Sequence, residues 1–63
     1  MRDKLSDEDI TRKQAQVLWE RAYRLHLKGE IADAILLYKR SIALYPTAEA
    51  YTFLGWSYSA IDL

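Results

Sequence analysis

The chain contains no cysteine. That excludes a disulfide framework and thiolate metal sites, the usual props of a small secreted fold, and leaves packing alone to supply stability. Proline occurs once and glycine twice in 63 residues, and no Pro- or Ser-rich stretch or low-complexity tract divides the chain, so one domain is the upper bound. A chain of this length buries only roughly 60% of its unfolded surface and is marginally stable without a partner. An excess of either charge is also missing: nine Lys and Arg offset nine Asp and Glu. With no run of like charge, nothing draws the whole chain to nucleic acid or anionic lipid. No segment is apolar for long enough to span a bilayer. The stretch from Met1 to Glu8 has no apolar run behind its basic residues and does not read as a secretion signal. The expected residence is cytoplasmic, with no membrane partner.

What is present is helical periodicity. Ser6 followed by Asp7, Glu8 and Asp9 places a capping hydroxyl ahead of acids that favour the positive end of a helix dipole. Ile10, Val17, Leu18, Ala22 and Leu25 then recur on one expected inner face until Gly29, a residue suited to ending a helix. Glu8 with Arg12, Asp9 with Lys13 and Glu20 with Arg24 are acid-then-base pairs four apart, each worth a few tenths of a kcal/mol on a solvated face. A second helix is expected to carry Ile31, Ala34, Ile35, Tyr38, Ile42 and Tyr45 inward and to end at Pro46. Thr47 caps a third helix with Glu49 in its first turn. The fold class expected is all-α: three antiparallel helices over approximately 7–28, 31–45 and 48–60, joined by short turns.

Two stretches share a pattern 33 residues apart. Leu18-Arg21-Ala22-Leu25 and Tyr51-Leu54-Gly55-Tyr58 each place a large residue, a variable one, a small one and a large one at helical spacing. Gly29, Ala34, Tyr38 and Pro46 fall between them. Together these residues resemble the tetratricopeptide repeat (TPR) pattern of W-x2-L-G-x2-Y, then A-x3-F, then P. On this resemblance, residues 15–47 form one repeat, 48–63 the first helix of a second, and 1–14 an N-terminal helical extension. The small residues Ala22, Ala34 and Gly55 are expected where helix axes approach most closely, so that leucine at any of them disrupts packing. Arg21 stands where the pattern prefers Leu, Ser41 where it prefers Ala, and the turn after Pro46 is one residue short. The final helix, with Tyr51, Phe53, Leu54, Trp56, Tyr58 and Ile61, is not a polar cap. The expectation is therefore a fragment of a longer array, or identical chains covering one another's faces.

The resemblance implies a non-enzymatic scaffold whose first helices line a groove for a peptide or helix of a partner protein. Carried over by position, that groove holds Gln16, Trp19, Glu20, Tyr23, His26 and Leu27 from the first helix and Glu49, Thr52, Phe53, Trp56 and Ser59 from the third. Helical spacing independently separates the Trp19-Tyr23-His26 stripe from the Val17-Leu18-Ala22-Leu25 stripe. The alternative is a homo-oligomerisation module in which the exposed faces of helices two and three pair with another copy of the chain. The Lys and Asn clamp with which some members of the family hold a C-terminal carboxylate is replaced here by Trp19, Tyr23 and Phe53. No cofactor is expected. His26 and Glu30 are too few to hold a catalytic metal, and no phosphate loop, nucleophile elbow or paired-carboxylate arrangement is evident, so no enzyme is expected. A helix-turn-helix reading through Ala48–Ala60 fails because that segment lacks Lys and Arg.

Overall fold

A computed structural model describes residues 6–61, which form three helices: α1 (Asp7–Leu27), α2 (Ile31–Leu44) and α3 (Ala48–Ile61). The first five residues of the expected N-terminal extension, which include most of the stretch weighed as a secretion signal, lie outside the described residues, as do 62 and 63. No strand occurs among the described residues, and no described helix is long and apolar enough to cross a membrane.

Local chemistry sets the ends of these helices. Ser6 Oγ accepts from the Asp9 N–H at 3.1 Å, satisfying one of the donors that a helix start leaves unpaired. At the other end of α1 the Gly29 N–H donates to the His26 carbonyl and the Glu30 N–H to the Leu25 carbonyl, both at 2.9 Å. This pair of bonds is a Schellman motif, and it requires the left-handed φ of +86° that Gly29 adopts. Helix α2 stops one residue earlier than expected. Tyr45, expected as its last inward residue, is instead the cap, extended at φ −160° and ψ 108° because Pro46 disfavours helical geometry before it. Thr47 Oγ1 then accepts from the Ala50 N–H at 3.1 Å to open α3.

Contacts distant in sequence fix the topology. The Ser41 hydroxyl, late in α2, donates to the Ala15 carbonyl, early in α1, at 2.7 Å. The Tyr45 hydroxyl beyond it donates to Glu8 Oε2 at 2.9 Å. Helix α2 therefore runs antiparallel to α1. Helix α3 turns back along the direction of α1, with Phe53 beside Trp19 and Ser57 beside His26. Helix α2 packs against both neighbours, whereas α1 and α3 meet narrowly.

Small side chains fill the interior. Ala15, Ala22, Ala34, Ala50, Ser41 and Ser57 are fully buried, joined by Tyr38 and nearly by Ile35. Ala22, Ala34 and Tyr38 form the central cluster, with Trp19, Leu25, Leu37, Phe53 and Leu54 packed on it. Close approach of helices through Ala and Ser brings backbones together but buries little apolar area, which keeps stability modest.

Several expected core positions lie elsewhere. Val17 is 45% exposed and Ile10 43%. Val17 stands two residues from Ala15, about 200° round the helix, so the two cannot both face α2 and α3, and Ala15 takes the interior. On α3, Ala50 and Ser57 mark the inner line, while Tyr51 and Tyr58, each one residue further, fall at its edge and are exposed. Gly55 is also exposed, and a Cβ built on it meets nothing within 4 Å. The expectation that Gly55 marks a close helix crossing is corrected accordingly. Ala22 and Ala34 do occupy such positions.

Candidate functional site

Phe53 is the hub of an aromatic set shared among α1, α2 and α3. Its ring lies 5.6 Å from Trp19, 5.1 Å from Tyr23, 5.3 Å from Trp56 and 6.1 Å from Tyr38, all in tilted arrangements. Such offset geometries are favoured by aromatic quadrupoles. The set grades from interior to surface: Tyr38 is fully buried, Trp19 and Phe53 are half-buried, Tyr23 is 38% exposed and Trp56 57%. Trp19 and Phe53 thus belong both to the core and to the expected groove, whereas Tyr23 and Trp56 offer open ring surface.

The remaining expected groove residues divide. Gln16 donates from Nε2 to Glu20 Oε2 at 2.9 Å, so Glu20 is tied to Gln16 rather than being left to Arg24. Gln16 and Glu49 do converge with Trp19, together with Arg12 and Thr47, on a cleft of about 190 Å³ between the early turns of α1 and the start of α3. His26 is half-buried, its Nδ1 3.1 Å from Ser57 Oγ. Thr52, Ser59 and Leu27 are exposed and take no part in the aromatic set.

Arg12 and Thr47 were not among the residues expected to line the groove. Arg12 falls on the same helical stripe as Gln16 and Tyr23, four and eleven residues on, and that spacing was the available signal. Its guanidinium donates to Glu8 Oε2 at 3.5 Å and to the Tyr45 hydroxyl at 3.2 Å, lies 4.0 Å from Asp9, and sits 5.2 Å from the centre of the Tyr45 ring. The Tyr45 hydrogen bond, reinforced by charge interactions with Tyr45, Asp9 and Glu8, holds it above its ordinary pKa. The expected Glu8–Arg12 pair is thus one edge of a cluster that ties the start of α1 to the end of α2.

Ser57 and His26 have the separation of a nucleophile and its base. Ser57, however, is fully buried, so no substrate carbonyl could reach its oxygen. The Tyr38 hydroxyl, near Ser57, is buried and has no hydrogen-bond partner of acceptable geometry among the described residues. Burial, with a smaller contribution from Tyr23 and partial relief from Ser57, pushes the Tyr38 phenol up to about 12. Among the described residues no three His, Asp or Glu side chains converge as metal ligands. No protein-family model, curated protein or solved structure matches the chain.

Proposed function

We propose that the chain is a non-enzymatic protein-interaction module of tetratricopeptide type, which holds a peptide or helix of a partner protein in the groove between α1 and α3. The observation that carries this reading is the Phe53-centred aromatic set, which rises from a buried base to the open rings of Tyr23 and Trp56. Rigid aromatics anchored below and exposed above give large contact area at low entropic cost, and such residues dominate interface energetics. The repeat assignment draws support from the helix-turn-helix of α1 and α2, the glycine turn at Gly29, the Ala22–Ala34–Tyr38 cluster and the exit at Pro46. A cytoplasmic setting accords with the absence of cysteine.

The test is selection of peptides on the chain from a display library, followed by Trp56→Ala. Loss of peptide binding by about tenfold or more with unchanged helicity supports the groove. Binding that survives while helicity collapses assigns Trp56 to the core and rejects it.

A second reading is self-association, favoured by the uncovered apolar edge of α3, where Tyr51, Tyr58 and Ile61 are each more than 40% exposed. The zero net charge sets no electrostatic barrier to it. Sedimentation equilibrium over a range of concentrations separates the two: a monomer leaves the groove reading standing alone, and a dimer lost on Tyr51→Glu establishes the second.

A further inference from the structure

Building on the groove reading, we propose that the cleft at the start of α3 is a subsite for one cationic side chain, the guanidinium or ammonium of an Arg or Lys in the bound peptide. The cleft's volume of about 190 Å³ falls below the roughly 300–1,000 Å³ of pockets that enclose small-molecule ligands. It suits a single side chain.

The lining chemistry sets the sign of the charge. Gln16 commits one of its two amide N–H groups to Glu20, and its carbonyl oxygen can accept from a donor in the cleft. Thr47 Oγ1 already accepts the Ala50 N–H, and Glu49 contributes a carboxylate. Trp19 adds an indole, the best ring for attracting a cation to its face. Among the described residues the one cation in the wall is Arg12, which is engaged by Glu8, Asp9 and Tyr45. An anionic ligand would have to compete with those acids and approach Glu20 and Glu49 as well. A cation can draw on the Glu49 carboxylate, the Gln16 amide oxygen and the Trp19 ring, all of them in residues that line the cleft.

Trp19 also belongs to the Phe53 set, so the subsite adjoins the apolar groove. The peptide chemistry that fits both is a basic residue a few positions from an aromatic or aliphatic anchor.

The experiment is titration of the full chain with N-acetyl-arginine amide, followed by nitrogen–proton correlation spectra. N-acetyl-citrulline amide serves as the uncharged isostere and N-acetyl-glutamate amide as the anion. The expected result is a saturable shift of the Trp19 indole N–H and the Glu49 amide, about fivefold weaker or more for citrulline and absent for glutamate. Glu49→Gln, an exposed change whose spectrum reports its own folding, should weaken the arginine response by a similar factor. Equal response to citrulline, a response to glutamate, no saturable shift, or indifference to Glu49→Gln would each overturn the subsite. Its failure is separable from that of the groove. Library peptides that need Trp56 but no basic residue keep the groove and remove the subsite, whereas an arginine response in a chain that selects no peptide keeps the cation site and removes the groove.

Discussion

Replacing Gly55 by alanine should make the chain more stable. Gly55 lies in the interior of α3, where glycine costs about 0.8–1.0 kcal/mol relative to alanine through the backbone freedom it loses. The usual reasons for keeping a glycine are absent at this position: its φ is not positive, and a Cβ added there meets no atom within 4 Å. Nothing offsets the entropic gain, so the expected change is an increase of about 0.5–1 kcal/mol. For a domain of this size 1 kcal/mol moves Tm by roughly 4–8 °C, which places the shift well within the resolution of a thermal melt followed by circular dichroism. The melt is best run at two protein concentrations about a hundredfold apart. A higher Tm at both confirms that this face of α3 is open. A lower Tm refutes the reasoning, because it means that another surface approaches Gly55 too closely for a methyl group. If the loss occurs only at the higher concentration, that surface is a second copy of the chain, and the self-association reading gains what the open face loses.

Gly29 is the contrasting case: its φ of +86° is one that L side chains rarely adopt, so Gly29→Ala should destabilise by about 1 kcal/mol despite the open space around it, read from urea midpoints. Ser41→Ala removes the buried 2.7 Å bond to the Ala15 carbonyl and should cost about 1 kcal/mol by the same assay; no change would mean that the α1–α2 crossing does not depend on it. Tyr38 carries the pH dependence. Its phenol is pushed up to about 12 by burial, from an ordinary 10.0, so the folded state holds its proton more tightly than the unfolded chain. That contribution is fully present below pH 10 and is lost as pH rises through about 12, a total of roughly 2–3 kcal/mol at 1.36 kcal/mol per unit. In Tyr38→Phe this part of the alkaline loss should vanish while stability at neutral pH is kept or improved, since the deleted hydroxyl is buried with no hydrogen-bond partner of acceptable geometry among the described residues; stability curves for the two proteins that fall in parallel above pH 10 would refute it.

What could be read from the sequence was the chemistry that acts over a few residues. The Ser6 and Thr47 caps, the Gly29 turn and the stop imposed by Pro46 depend on groups at most five positions apart, so three helices, their starts, and their ends to within one residue followed without tertiary information. The stripe of Trp19 and Tyr23 was visible for the same reason, whereas on α3 the spacing pointed to Thr52 and Trp56, and the structure puts Phe53 in place of Thr52. Spacing alone could not say which side of each stripe would be covered, because that depends on how α1, α2 and α3 cross. The crossing gave the interior to Ala15 instead of Val17, left Gly55, Tyr51 and Tyr58 uncovered, and made Phe53 a hub of both core and groove. It also joined groups more than thirty residues apart, Glu8 with Tyr45 and His26 with Ser57. The cleft likewise has no local signature: Arg12, Gln16 and Trp19 meet Thr47 and Glu49 only because α2 returns the chain to the start of α1. Helix limits are set by short-range hydrogen bonding, whereas a site is set by which faces meet, and only the packed helices decide that.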